Sequence, residues 1–289
     1  MKIIGRNGTD DVINMSTFSE IPRFCYRNGF SPIDPGNYSS DKGWGCCYRS
    51  SQGVLAQYVI KLKASFPDLY QSTFGDASPC DLFMDTPESP FGIHKMVFST
   101  VKAGISVGEW AKPSAVAFGI QQILKDLNLS CIVSRDFTFT TEELETISYP
   151  TLLLIPGLFG LNSFDMSFLP FLQLCLCADG SLGFVSGHKN AAYYVIGFDS
   201  SHFTYFDPHV TKPAALSSND SQSFYQLQYK LLNVSSINPS VLIGFMCLDH
   251  NSVEEILFKL MSCHYSPICV ASSKETEDVE KVVLDIDDL

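Results

Sequence analysis

Apolar residues recur at helical spacing in the first half of the chain and in short dense runs in the second. Cys47, Val54, Leu55, Tyr58, Val59 and Leu62 lie three or four residues apart, which predicts a helix over Cys46–Lys63. Val116, Ile120, Ile123, Leu124 and Leu127 predict another over Pro113–Leu127, with Pro113 suited to its first turn. Residues 1–41 are turn-rich, with Pro22, Pro32, Pro35 and Gly36, and Ser65–Pro90 reads as irregular. Runs rich in aliphatic and aromatic residues then predict strands at Cys131–Ser134, Thr151–Ile155, Tyr193–Phe198, Phe203–Asp207 and Val241–Leu248, with a hairpin turn at Asp199–His202. A last helix is expected over Val253–Met261, opened by Ser252 and Glu255 in capping-box spacing. Helices first and strands afterwards argue an α+β fold. A single domain over residues 1–272 is expected, followed by an acidic tail, 273–289. From Lys274 onward that tail holds seven acids against two lysines, and it is expected to be mobile.

Composition narrows the classes. With 289 residues, 45% apolar and 17% charged, the chain can bury a sizeable core. A net charge of -12 argues against nucleic acid as a partner, because phosphate-binding surfaces carry basic excess. The stretch Thr151–Cys177 is the most apolar, but Pro156, Asn162, Asp165 and Pro170 interrupt it, so it reads as core rather than a membrane span. Ten cysteines admit a disulfide framework, a zinc site or reduced thiols. Met1–Thr9 shows no signal-peptide pattern, and no cysteine pair has two-residue spacing, since Cys46 and Cys47 are adjacent and Cys175 and Cys177 are one residue apart. Reduced thiols in a cytoplasmic protein, one of them reactive, are therefore expected.

Two segments carry candidate chemistry. In Asp41-Lys-Gly-Trp-Gly-Cys-Cys-Tyr-Arg, Gly43 and Gly45 mark a tight turn immediately before the predicted helix. A cysteine there sits beside unpaired N–H groups at the positive end of the helix dipole. Both favour thiolate, the reactive form. Cys47 shares the apolar face. Cys46 lies about 100° away, in line with Ser50, Gly53 and Gln57, a small polar face against which a sheet could pack closely, so Cys46 is the candidate nucleophile. In Tyr205-Phe-Asp-Pro-His209, alternate residues of a strand face the same way, so Asp207 and His209 would project together. Pro208 has no N–H to donate and puts this point at a strand end. Taken singly, the first segment has an ordinary reading as two small core residues and the second as a surface turn. Together they form the set a thiol hydrolase needs: nucleophile, imidazole and orienting carboxylate.

Ser40-Asp-Lys-Gly-Trp-Gly-Cys-Cys-Tyr-Arg and Tyr205-Phe-Asp-Pro-His resemble the two catalytic motifs of the autophagins, cysteine peptidases that process the ubiquitin-like modifier of autophagosome membranes. Phe24-Cys-Tyr-Arg-Asn-Gly-Phe resembles that family's upstream segment, Ile93-His with Ser106-Val-Gly-Glu-Trp-Ala-Lys-Pro-Ser its central block, and Gly187-His-Lys-Asn-Ala-Ala-Tyr-Tyr-Val-Ile-Gly its regulatory loop and the strand after it. The resemblance implies a papain-like fold with a small inserted subdomain. It implies Tyr26 in an oxyanion hole with the Cys46 N–H, Trp110 covering the cysteine, and gating of the cleft by Trp110, Gly187, His188, Lys189 and Asn190. It further implies cleavage after the modifier's C-terminal glycine, both in its precursor and in its phosphatidylethanolamine conjugate. No metal or cofactor is implied. The approach to membranes would be transient, and a monomer is expected. The loop block departs from the family's Gly-Gly-then-Pro pattern, reading Ser186-Gly-His-Lys-Asn. Two other readings stand beside this one: a catalytically silent modifier-binding protein, and a thiol hydrolase of other specificity. The complete Cys46, Asp207 and His209 set argues against the first. Trp110 and the Gly187 block argue against the second.

Overall fold

A computed structural model describes residues 2–4, 20–225 and 228–272, apart from the side chain of Ile3. The acidic tail expected at 273–289 lies outside the described residues. In chain order the elements begin with β1 (Lys2–Ile3), β2 (Arg27–Ile33), β3 (Tyr38–Ser40), α1 (Cys46–Ser65), α2 (Pro67–Phe74), α3 (Ile93–Val101) and α4 (Pro113–Asp126). Next come β4 (Ser130–Val133), β5 (Thr138–Thr140), α5 (Thr141–Thr146), β6 (Thr151–Leu158), α6 (Leu169–Cys177), β7 (Ser181–His188), β8 (Ala191–Phe198) and β9 (His202–Phe206). The series closes with β10 (Lys212–Pro213), β11 (Lys230–Asn233), β12 (Ser240–Cys247), α7 (His250–Met261) and β13 (Cys269–Ala271).

The central sheet runs β11-β9-β8-β7-β12-β6-β4, with β1 added to β8. Its pairings are antiparallel except the terminal β4–β6 pair. Two small sheets sit beside it, β10-β2-β3 and β13-β5. Strand side chains alternate between faces, and here each face meets helices. Leu152, Leu154, Leu242 and Met246 pack toward the core that holds α1, α3 and α4. Leu153, Ile155, Ile243 and Phe245 pack toward the opposite core, with Phe171 and Leu172 of α6 and Ile256 and Leu260 of α7. A strand buried on both faces reads as one continuous apolar run, which is how β6 and β12 appear in the sequence. Each such leucine or isoleucine taken out of water contributes about 1.5–3 kcal/mol before entropy is counted.

The α+β expectation is borne out, and the predicted strands and the two long helices lie within a few residues of their expected bounds. Several elements differ from the sequence reading. The stretch taken as irregular contains α2, whose Pro67 sits in the first turn, and a 3₁₀ turn at Pro79–Phe83. The turn-rich beginning contains β2 and β3. Strand β7 occupies the middle of the sheet despite Gly183 and Gly187. At Gly183 (φ 82°) a Cβ would lie within 2.5 Å of the Val195 carbonyl, so backbone approach, not side-chain propensity, decides that position. Helix α7 begins at His250, earlier than expected. Asp249 is its N-cap, and Ser252 fills the N3 position of the capping box rather than the N-cap.

Helix α1 is the element that carries the candidate nucleophile, and it lies directly on β7 and β8. The close approach is made at Gly53, where a Cβ would run into the Tyr194 ring. That ring is fixed, because its hydroxyl donates to the Leu182 carbonyl at 2.6 Å in the buried core. Gly53→Ala is therefore expected to destabilise the protein by about 1–3 kcal/mol, overpacking outweighing the gain in helix propensity. Chemical denaturation measures this. A stabilised variant would contradict the packing described.

Candidate active site

The start of α1 is built by the turn before it. Gly43 adopts φ 92°, which only glycine does without strain. The Asp41 carbonyl accepts from the N–H groups of Trp44 (3.3 Å) and Gly45 (2.8 Å). At Gly45 a Cβ would stand 2.6 Å from the Asp41 carboxylate, so both glycines of this motif are required, the first for its dihedral and the second for its lack of bulk. The Asp41 carboxylate accepts from the Arg27 N–H at 2.6 Å and from Arg49 Nε at 2.5 Å. Arg49, one turn along α1 from Cys46, also reaches Asp85 at 2.8 Å, and all three side chains are completely buried. The helix starts at Cys46 with no side-chain cap on its first-turn N–H groups. A buried helix start left open in this way favours an anion beside it.

Asp207 and His209 are not in the strand, as the alternation argument supposed. Strand β9 ends at Phe206, because Pro208 cannot continue the ladder. They are brought together by a turn instead: Asp207 Oδ1 accepts from the His209 N–H at 3.0 Å and lies 2.6 Å from His209 Nδ1. The Pro208 carbonyl accepts from the Tyr26 N–H at 2.8 Å, and the Asp207 carbonyl from Arg23 Nη2 at 2.7 Å. The other carboxylate oxygen, Oδ2, accepts from Lys230 Nζ at 2.6 Å. Burial works against the Asp207 charge, but the His209 and Lys230 hydrogen bonds overcome it and hold the carboxyl far below the usual range.

Cys46 lies between these groups. Burial of its thiol raises the pKa, yet hydrogen bonds from His209, from the Ala192 N–H and from Trp110 bring it below its ordinary value. The Trp110 Nε1–H donates to Sγ at 3.1 Å. His209 is pushed up to about 9, first by the Asp207 hydrogen bond and then by Cys46. A lowered thiol facing a raised imidazole is a thiolate–imidazolium pair. The Tyr26 hydroxyl accepts from the Gly43 N–H and donates to Cys46, and burial is the main reason its own pKa is raised. The Tyr26 ring meets the imidazole edge-on at 5.2 Å, and Tyr193 does so at 5.7 Å. Cys47 points into the core, and burial raises its thiol strongly.

The structure thus brings Cys46, His209, Asp207, Tyr26 and Trp110 into one site. Gly187–Asn190 stand differently. They form the tight hairpin between β7 and β8, with Lys189 at φ 54°. His188 Nδ1 lies 2.7 Å from the Ser236 carbonyl, the Asn238 N–H donates to the Gly187 carbonyl at 2.8 Å, and Asn238 Nδ2 donates to Lys189 at 2.9 Å. Their link to the site is the strand pairing of Gly187 with Ala192, whose N–H reaches Cys46. Lys230, Ala192 and the Arg49–Asp41–Asp85 group were not found from the sequence. A lone lysine and a lone alanine leave no local pattern, and Asp85 lies 36 residues from Arg49.

This pair sets a pH dependence. The kcat/KM of any thiol reaction that draws on the charged imidazole is expected to fall as pH rises through about 9. Initial rates at low substrate concentration measure it. A fall centred at about 6.5, the ordinary value for histidine, would contradict the pairing.

A central helix that begins with a cysteine, packed on an antiparallel sheet that delivers an imidazole and a carboxylate, is the arrangement of a papain-like cysteine peptidase. The chain belongs to the Peptidase C54 family, matching the Peptidase C54 catalytic domain over residues 13–259. It is 29% identical to Cysteine protease ATG4A of Xenopus laevis, over 84% of this chain and 73% of that one. It is also 29% identical to Cysteine protease ATG4A of Homo sapiens, covering 80% and 70%. Against Probable cysteine protease atg4 of Sclerotinia sclerotiorum it is 30% identical, covering 76% of this chain but 55% of the fungal one. The resemblance to the autophagins is borne out by these matches.

Proposed function

We propose that this peptidase cleaves after the C-terminal glycine of a ubiquitin-like autophagy modifier, both to mature its precursor and to release it from phosphatidylethanolamine. The observation that carries the reading is the Cys46 thiol held among His209, the Trp110 indole N–H, the Tyr26 hydroxyl and the Ala192 N–H. Cys46 is the nucleophile. Its thiolate attacks the glycine carbonyl carbon, and a carbon–sulfur bond forms as the carbonyl oxygen gains charge. The Cys46 N–H and the Tyr26 hydroxyl donate to that oxyanion. The carbon–nitrogen bond then breaks, and the leaving amine takes the proton from His209. That amine belongs to the trailing peptide in one substrate and to the ethanolamine headgroup in the other. A water molecule gives its proton to His209 and attacks the thioester, freeing the glycine carboxylate and the Cys46 thiolate. Asp207 holds the imidazole in the right tautomer throughout.

Trp110 covers the sulfur and must move aside for a glycine tail to enter. It is 41% exposed and so has room to do so. The hairpin at Gly187–Asn190 forms the other side of the gate, tied to it through Ala192. Residues 1–272 serve as the peptidase domain, a monomer working in the cytoplasm and meeting membranes only through its conjugated substrate. Among the described residues no helix is long and apolar enough to cross a membrane. The test is a panel of ubiquitin-like proteins, each with a reporter peptide after its final glycine, plus the autophagy modifier conjugated to phosphatidylethanolamine in vesicles. Cleavage confined to the autophagy modifier, in both forms, is expected. Equal cleavage across the panel, or none of the autophagy modifier, would overturn the assignment.

A further inference from the structure

Lys230 is a charge that the reaction above does not use. It opens β11, the edge strand of the central sheet, opposite Tyr205. Its ammonium reaches past the strand end to Asp207 Oδ2 at 2.6 Å, while Oδ1 serves the His209 ring at 2.6 Å and the His209 N–H at 3.0 Å. The two carboxylate oxygens are therefore divided between two cations. The other groups facing the Asp207–His209 pair are Cys46 from α1, Tyr26 from the segment before β2, Tyr193 of β8 and Tyr205 of β9, with Arg23 on the Asp207 carbonyl. Burial is the main reason Tyr193 is raised to about 12, and it raises Tyr205 as well, so the tyrosines stay neutral where the imidazole titrates. Lys230 places a cation on the carboxylate itself.

A carboxylate with one cationic partner exerts its full field on that partner. A second cation on its other oxygen cancels part of that field. We propose that Lys230 is a positioning residue acting through Asp207: it offsets part of the carboxylate's charge, so that the His209 imidazolium releases its proton to the leaving amine more readily. The inference rests on the reading of Cys46, His209 and Asp207 given above. Without Lys230 the carboxylate keeps both hydrogen bonds from His209, so its geometry survives and the change of charge dominates. The Lys230 side chain is 57% exposed, which limits the size of the effect.

The experiment follows the His209 ring Cε1 proton by NMR against pH, the signal assigned by its loss in His209→Gln, alongside the alkaline limb of kcat/KM. Lys230→Met is expected to raise the midpoint by about half a pH unit, and Lys230→Arg to leave it in place. Lys230→Gln makes the same test if the Met variant does not fold. A merely structural lysine would lower thermal stability without moving the midpoint. An unmoved midpoint in the Met and Gln variants, or an equal shift in the Arg variant, overturns the role of Lys230 while the catalytic reading stands. A wild-type midpoint at the ordinary histidine value, with no dependence on Asp207, overturns both.

Discussion

Cys46→Ala is expected to lower kcat/KM by at least about a thousandfold, because the residual rate comes only from binding and oxyanion donors. Cys47→Ala is expected to stay within a few-fold of wild type. The two cysteines are adjacent, equally buried and chemically identical, so the contrast isolates what the fold does to each. Cys46 receives hydrogen bonds from His209, the Ala192 N–H and Trp110, which together outweigh its burial. Cys47 is buried, sits beside the Cys46 charge and has a Ser51 hydrogen bond that does not compensate, so its thiol stays protonated. Removing its sulfur leaves a small cavity and costs stability rather than chemistry. Steady-state kinetics on both variants, each checked for a native fold by circular dichroism, make the comparison. Equal losses would mean that the turn at Gly43–Gly45 does not aim Cys46 alone.

The second large effect concerns stability. Arg49→Met is expected to destabilise the protein by about 3–5 kcal/mol, the cost of leaving buried carboxylates without their partner. Burial lowers the tendency of the guanidinium to hold its proton, but Asp41 and Asp85 outweigh this, and the group stays charged. Asp85 would keep a distant partner in Arg27 at 3.9 Å, whereas Asp41 would lose the guanidinium that it pairs with among the described residues. Because Asp41 also fixes the turn that presents Cys46, catalysis should fall further than the lost fraction of folded protein explains. Urea titration with activity measured well below the transition separates the two. A variant with wild-type stability would show that the network is not what holds the turn.

The sequence exposed the candidate site better than it exposed the fold around it. Cys46 was legible because two glycines and a helix start leave a local mark, and Asp207 and His209 because they are two residues apart across a proline. Tyr26 and Trp110 were legible only through family resemblance, since an aromatic side chain in isolation reads as packing. The error over Asp207 and His209 is informative: their pairing was right, but a turn makes it, not a strand, because Pro208 ends the ladder that the alternation argument needed. Strand β7 was missed for the opposite reason. Its glycines suggest a loop, while its place between β8 and β12 comes from pairings made far along the chain. Lys230, Arg49 and Asp85 depend on contacts over 23 and 36 residues, which no local pattern records.

The most direct measurement traps the nucleophile. The autophagy modifier, ending at its glycine in an electrophile that reacts only with an activated thiol, would be incubated with the intact protein under reducing conditions. The adduct would then be mapped by peptide mass spectrometry. A single adduct on Cys46, abolished by His209→Ala and preserved in Cys47→Ala, is the predicted result. An adduct on another cysteine, or none from folded protein that still binds the modifier, would contradict the account.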